Sequence, residues 1–313
     1  MTTYKIIVNP ISGRGTGERS IPLIEQTLRH HGVDFDLVRT ERPWHAADLA
    51  QRAVVNGADV VVAAGGDGTA NEVLNGLMRA KEAGAGSSVA MGVLSVGRGN
   101  DFAFGVNVPS DLPAACRVLA MDQRRTIDVG KVVGGLYPQG RYFGNGVGIG
   151  FDAVVGFEAF KMTRLQGFPS YIVAALKTIF LYYQAPLVRI EYNGQSRVIS
   201  SLMVSIMNGR RMGGGFMMAP QAEIDDGLFD LCIAKEVSRL RIFGLILRFM
   251  KGTQAGHQAI HNDRSQRIVV KAMEGVLPAH ADGETLCTEG RQLSLELLPR
   301  QIDIICASKD ESR

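Results

Sequence analysis

The strongest constraint on the fold is an alternation of two hydrophobic periods along roughly the first 125 residues. Tyr4–Asn9 is a short apolar run ending in Asn-Pro and reads as a strand. Ser20-Ile21-Pro22 carries the capping serine and early proline that open a helix, and Gly32 closes it. Val33–Arg39 alternates apolar and polar residues as a half-buried strand does, and Trp44–Asn56 is helical in period up to Gly57. Ala58–Ala64 (ADVVVAA) is continuously apolar, the mark of a strand covered on both faces. Thr69–Ala83 sets Val73, Leu74, Leu77 and Met78 on one helical face, Val89–Leu94 is another buried strand, and Leu112–Met121 another helix. Strands separated by helices imply a parallel sheet with helices on both faces.

Beyond about residue 126 the pattern changes. Val188–Ile206 reads as two strands around Asn193-Gly194, the strongest short hairpin signal. Leu228–Ala234, Arg267–Met273, Val276–Ala281 and Leu293–Leu298 are further short strands. Hairpins in place of crossovers predict an antiparallel second domain, interrupted by helices near Ser170–Tyr183 and Arg239–Lys251. A chain of 313 residues suits two domains, at about 150 residues each. The join is expected between Arg125 and Lys131.

Composition narrows the setting. Hydrophobic residues make up 46% and charged residues 21%, as in a globular protein. A net charge of +3 is too small to argue for a nucleic-acid partner. Cys116, Cys232, Cys287 and Cys306 form no C-x-x-C pair, which fits a reducing cytoplasm better than a disulfide framework or a zinc site. The N-terminus MTTYKIIVNP does not read as a signal peptide. The most apolar later windows are broken by Lys177 and Arg248, short of the roughly 20 apolar residues a spanning helix requires. A soluble protein able to touch a membrane is expected.

Ligands of parallel sheets sit beyond the carboxyl ends of the strands. Three glycine-rich segments fall at such ends: Asn9-Pro10-Ile11-Ser12-Gly13-Arg14-Gly15, Gly65-Gly66-Asp67-Gly68-Thr69 and Gly97-Arg98-Gly99-Asn100-Asp101. Glycine admits backbone N–H groups close to phosphate oxygens, and a following helix N-terminus favours the anion. Tight turns also want glycine, so each segment alone is weak. No G-x-x-x-x-G-K-[ST] loop and no H-R-D or D-F-G triplet occurs, and Gly13-Arg14-Gly15-Thr16-Gly17 misses the dinucleotide spacing by one residue. Asp67 is the informative position. A carboxylate inside a phosphate loop repels its ligand unless a cation such as Mg2+ stands between them. Its other reading is a helix cap. Asn71 and Glu72 follow in the first helical turn and are expected to face the same site.

On these residues the chain resembles the diacylglycerol kinase catalytic family, shared by bacterial lipid kinases and by sphingosine and ceramide kinases, and more distantly by NAD kinases. GGDGTANEVLNGL looks like the family's most specific motif, and VNPISG (Val8–Gly13) looks like its opening pattern. Its third loop usually reads G-T-x-N-D-F-A; here Arg98 replaces the threonine in Gly97-Arg98-Gly99-Asn100-Asp101-Phe102-Ala103. The resemblance implies a Rossmann-like α/β nucleotide-binding domain, residues 1–128 completed by a returning segment 299–313. It also implies an antiparallel β-sandwich acceptor domain over 129–298, and it places Thr40 near the adenosine end of ATP.

Two acidic turns gain meaning from it. Asp282-Gly283-Glu284 has the composition of an ordinary hairpin turn, but the family carries D-G-E at the corresponding place, across a cleft from the glycine loop. Phosphoryl transfer to an alcohol benefits from a carboxylate that accepts the hydroxyl proton; Asp282 is the expected base, with Glu284 as its partner or the actual acceptor, and Asp67 is the third catalytic residue. Asp225-Asp226-Gly227-Leu228 is similar to the family's magnesium-binding turn, with the Asp226 carboxylate and the Glu223 and Leu228 carbonyls as ligands; a solvated turn is the other reading. His257 and His261, four residues apart, lack a third ligand at helical spacing. Arg239–Lys251 reads as a packed helix with snorkelling basic residues, or as a contact with anionic lipid.

The expectation is an ATP- and Mg2+-dependent cytoplasmic kinase that phosphorylates a hydroxyl of diacylglycerol or a related long-chain lipid, at the inner face of the membrane. A kinase for a soluble acceptor such as NAD, a nucleotide-binding regulator without turnover and a lipid carrier remain the alternatives, and an edge strand leaves a homodimer open.

Overall fold

Each apolar run of the first third becomes a strand, and each helical period the crossover that returns the chain to the same sheet. The computed structural model describes residues 2–86, 88–97, 99–162, 168–181 and 185–308. It divides into two units, Met1–Asp128 with Arg300–Arg313, and Val129–Pro299.

The first unit runs β1 (Tyr4–Val8), α1 (Ser12–His30), β2 (Phe35–Arg39), α2 (His45–Val55), β3 (Val60–Gly65), α3 (Asp67–Glu82), β4 (Ala90–Ser95), α4 (Asp101–Gly105) and α5 (Leu112–Met121). β1 pairs in parallel with β2 and β3, and β3 with β4. Val60, Val61 and Val62 are wholly buried, as a strand packed on both faces requires. One expectation fails here. The first helix does not open at Ser20-Ile21-Pro22: a turn begins at Ser12, left-handed backbone at Gly13, Arg14 and Gly15 breaks it, and the regular helix then runs on through Pro22 to His30. Pro22 therefore lies inside the helix and forgoes one intrahelical bond, while the Glu18 N–H reaches back eight residues to Pro10 O (3.2 Å) and closes the loop after β1.

From α5 the chain enters β5 (Arg124–Gly134), then β6 (Tyr137–Phe143), β7 (Gly146–Gly150), α6 (Phe151–Lys161), α7 (Phe168–Leu181), β8 (Leu187–Tyr192) and β9 (Gln195–Met207). There follow β10 (Phe229–Lys235), α8 (Arg239–Lys251), β11 (Ile260–Ser265), β12 (Arg267–Ala272), β13 (Leu277–Ala281), β14 (Glu284–Gly290) and β15 (Gln292–Ile305). Pairings within the second unit are antiparallel: β7 with β9 and β13, β8 with β9 and β12, β10 with β9 and β11. The hairpin at Asn193-Gly194 forms with φ of +49° and +71°, the positive values a tight two-residue turn demands.

β9 ties two layers together. Its first half pairs with β8 and its second half with β7 and β10. Val147, Ile149, Ile190, Val204, Ile206, Leu231, Ile233, Ile268, Val270 and Leu295 fill the space between the layers, each contributing about 1.5–3 kcal/mol by burial. The other faces of β9 and β10, through Met203, Met207, Cys232 and Ala234, are covered by α6, α7 and α8. His257 and His261 are not on a helix: His261 sits on β11, its Nε2 3.1 Å from the Tyr192 hydroxyl.

β15 continues past the second unit. Asp303 and Ile304 pair in parallel with Ala90 and Met91 of β4. Lys81 Nζ donates to Gln301 O (2.7 Å), Thr126 Oγ1 to Asp303 Oδ1 (2.6 Å) and Asn107 Nδ2 to Ala307 O (3.1 Å). A strand from the far end of the sequence thus extends the sheet of the first unit.

Candidate functional site

Three loops at the carboxyl ends of β1, β3 and β4 converge. Gly13 (φ +56°), Arg14 (φ +59°) and Gly15 (φ +83°) turn the chain sharply after β1. A Cβ on Gly13 would lie 2.4 Å from the Val96 carbonyl oxygen, one on Gly97 2.3 Å from Gly66 Cα, and one on Gly99 2.8 Å from Asp67 Oδ2. At Gly13 and Gly97 the neighbour is backbone, so no side chain fits there. The first loop therefore touches the third, and the third touches the second.

Polar side chains fasten the cluster. Asn9 Nδ2 donates to Thr69 Oγ1 (3.1 Å), while its Oδ1 accepts from Ile11 N (3.2 Å). Ser12 N donates to Asn9 O (3.1 Å). Asn100 precedes α4 with φ +55°, makes no side-chain cap to it, and donates through Nδ2 to Gly97 O (3.3 Å). Thr40 extends β2, its N–H donating to Val8 O (2.8 Å). Gly65 ends β3, Gly66 is the residue before α3, and Asp67, Gly68 and Thr69 form its first turn. Arg98 lies outside the described residues.

Asp67 caps a helix, but not its own. Its Oδ1 accepts from Phe102 N (3.0 Å) in the first turn of α4. Asp67 Oδ2 and Asp101 Oδ2 both approach Gly99, within 2.8 and 3.3 Å of the point its Cβ would occupy. One or two carboxylates plus substrate phosphates are the donor set magnesium prefers, so these residues fit that ion.

Two residues expected at the nucleotide have other partners. Both oxygens of Glu72 hold the start of α2, accepting from Trp44 N (2.9 Å) and Ala46 N (3.0 Å). Asn71 is buried and accepts from Asn75 Nδ2 through its backbone oxygen (2.8 Å) and its Oδ1 (3.1 Å).

In the second unit, Asp282 (φ +48°) and Gly283 (φ +83°) form the two-residue turn joining β13 to β14. The Asp282 carboxylate is buried and accepts three backbone N–H groups, from Gly144 (2.8 Å), Asn145 (3.0 Å) and Gly146 (2.9 Å). Glu284, two residues on, is exposed. The expected metal turn carries a different cation: Asp226 Oδ2 pairs with the Arg264 guanidinium, and Asp226 Oδ1 accepts from Leu228 N (3.0 Å). Glu223 faces Arg210 at 3.9 Å. Among the described residues no group of three or more His, Cys, Asp or Glu gathers to hold a metal.

One polar cluster escaped the sequence reading. Asp152, in the first turn of α6, accepts from Ser205 Oγ (3.0 Å) and Ala153 N (2.9 Å). A Cβ on Gly148 would lie 2.4 Å from Asp152 Oδ2 and 2.6 Å from His280 Nε2, so both side chains use the space this glycine leaves. The only trace in the sequence is an aspartate two residues after the glycine-rich run Gly146–Gly150.

Burial governs the protonation of this cluster. Although Asp152 keeps some surface, desolvation pushes its carboxyl up to about 7, and full burial brings His280 down to about 4. Between about pH 4 and 7 the folded chain keeps a proton on Asp152 that the unfolded chain has lost, so this group makes stability fall as pH rises. His280 acts oppositely, since below about 6.5 only the unfolded chain takes up its proton. Asp152→Asn is expected to raise the thermal midpoint over wild type at pH 8 and to leave it nearly unchanged at pH 4. An equal shift at both pH values would discard the burial account.

The description "Diacylglycerol kinase catalytic domain" matches residues 3–132, and "YegS C-terminal NAD kinase beta sandwich-like domain" matches residues 145–306. A diacylglycerol kinase of Mycobacterium tuberculosis is 27% identical over 290 residues, covering 92% of this chain and 90% of the relative. The crystal structure of a diacylglycerol kinase from Bacillus anthracis superposes with a TM-score of 0.72 at 20% identity, covering 98% of this chain and 97% of the other. An NAD kinase from Archaeoglobus fulgidus, solved in complex with ATP, gives a TM-score of 0.52 at 12% identity over 99% and 95% of the two chains. The two structural likenesses speak to the fold.

Proposed function

The chain belongs to the diacylglycerol kinase catalytic-domain family, with a YegS-type β-sandwich-like second domain, and from that premise we propose that it transfers the γ-phosphoryl group of ATP to a hydroxyl of diacylglycerol or a related long-chain lipid. Membership of a kinase family makes it a phosphotransferase. The observation that carries the nucleotide half of the reading is the convergence of three glycine loops around Asp67. Backbone N–H groups at Gly13 and Arg14 and at the start of α3 receive the phosphates. Magnesium, when bound, neutralises charge on the β- and γ-phosphates, and Asp67 and Asp101 are the residues that would hold it.

The acceptor oxygen attacks the γ-phosphorus, the bond from that phosphorus to its bridging oxygen breaks, and ADP leaves. The hydroxyl proton passes to Glu284. Glu284 is preferred to Asp282 because the Asp282 carboxylate is buried and already engaged by three backbone N–H donors, whereas Glu284 is exposed. Asp282 fixes the turn that carries Glu284.

The lipid half rests on relatives named diacylglycerol kinase that align along nearly the whole chain. A cytoplasmic enzyme working at the inner face of the membrane follows from it; among the described residues no helix is long and apolar enough to cross a membrane. The test is mass spectrometry of products after incubation with ATP, magnesium and either total membrane lipid or a soluble metabolite extract. A phosphorylated long-chain lipid is expected. Phosphate transferred only in the soluble extract would overturn the lipid acceptor, and ATP binding without transfer in either would leave a regulator.

A further inference from the structure

α7 is built inside out. Its outward positions are Val173, Leu176, Phe180 and Leu181, exposed by 40, 38, 59 and 64%. Their spacing of three, seven and eight residues puts them on one helical face. The inward face is Ser170, Ala174, Ala175, Thr178 and Ile179. A helix of an ordinary globular surface shows the reverse arrangement, with large apolar residues packed and polar ones outside.

α8 lies beside it, with the Phe180 and Phe243 rings 6.2 Å apart. α8 packs through Ile242, Leu245 and Phe249 and turns outward Leu240 (79% exposed) and Leu247 (57%). Arg241, Arg248 and Lys251 are exposed on that same face. The two helices carry five basic residues, Lys177, Arg239, Arg241, Arg248 and Lys251, and no acidic one. Phe160 of α6, 84% exposed, adds a further large ring, and Glu158 of α6 pairs with Lys177, so the net excess of positive charge sits on α8.

We propose that the outward faces of α7 and α8 form a docking surface for an anionic lipid bilayer, with the α7 side chains entering the acyl boundary and the α8 cations meeting the headgroups. Apolar residues beside a row of cations with no carboxylate among them match the chemistry of that surface. A second copy of the chain fits worse. A twofold contact would set Arg241, Arg248 and Lys251 against their own equivalents. The purpose of the surface, delivery of the enzyme to a membrane-resident acceptor, rests on the lipid-kinase reading; binding itself does not.

The experiment is co-sedimentation of the full chain with vesicles of phosphatidylcholine alone or mixed with phosphatidylglycerol, paired with kinase assays on diacylglycerol in detergent micelles. Wild type is expected to bind the mixed vesicles, less so as salt rises, and to bind neutral ones weakly. The double variant Phe180→Glu/Leu181→Glu and, separately, Arg241→Glu/Arg248→Glu are each expected to lose about tenfold or more in vesicle affinity. Micellar turnover should stay within about twofold, since none of these residues belongs to the proposed site. Wild type that turns over micellar lipid yet ignores anionic vesicles overturns the docking surface and leaves the kinase reading standing. Vesicle binding with no lipid phosphorylation does the converse. Variants that bind vesicles like wild type, or a wild-type dimer that falls apart on Phe180→Glu/Leu181→Glu, also overturn it.

Discussion

Glu284→Gln is expected to lower kcat by about 10²–10⁴-fold and to leave the thermal midpoint unchanged. The side chain is exposed, so an isosteric amide disturbs no packing; it removes only the ability to take up a proton. Asp282→Ala should behave in the opposite way. It strips the N–H groups of Gly144, Asn145 and Gly146 of their shared acceptor, which costs about 3 kcal/mol or more of folding stability. It also leaves an alanine at φ +48°, a further strain of about 1 kcal/mol. Urea melts and steady-state kinetics on both variants separate the roles. Full turnover in Glu284→Gln, together with a folded but inactive Asp282→Asn, would transfer the base to Asp282.

Asp67 offers the second large effect. Asp67→Asn retains an oxygen for the Phe102 N–H, so α4 keeps its cap and stability changes by less than about 1 kcal/mol. The charge is gone, however, and turnover is expected to fall by about 10²-fold or more, with a weaker response to magnesium. Asp67→Ala loses the cap as well and should melt earlier by about 1 kcal/mol. Titrating kcat against magnesium for the two variants, alongside their melts, divides the structural part from the chemical part. If Asp67→Asn kept both its rate and its magnesium dependence, the carboxylate would be a cap alone.

What the sequence made legible was the periodic part. Ala58–Ala64 reads only as a strand buried on both faces and forms as Val60–Gly65, and Leu112–Met121 has the bounds of α5 to the residue. Pairing chemistry was legible too wherever it was local, as at Asn193-Gly194. Elements with little apolar contrast were not. β7 (GVGIG) has three glycines in five residues and is a strand only because it pairs with β9 and β13. β11 (IHNDRS) is a strand by virtue of β10 beside it.

Site roles divided along the same line. The three loops were visible as glycine clusters, yet the task of each side chain depends on partners far along the chain. Asp282 is bound by amides 136 to 138 residues away, and Glu72 by amides 26 and 28 residues back. No local pattern encodes a carboxylate acting as a brace for a remote backbone. Helical position brought Glu72 near the chemistry and motif resemblance brought Asp282 there; geometry gives Glu72 to the start of α2 and Asp282 to its own turn.

The last strand has a consequence in time. The edge of the first unit's sheet at β4 gains its neighbour only when Asp303 and Ile304 have been made, after the whole stretch Val129–Pro299. At ribosomal speeds of roughly 5–20 residues per second, that delay is about 10 to 30 s. Through it the nascent first unit carries an open apolar flank along Ala90–Leu94, side chains that end up almost wholly enclosed. The order of synthesis thus makes the nucleotide-binding half wait for the other half, so a ribosome that stalls late should release a chain prone to aggregation in the part that was translated first.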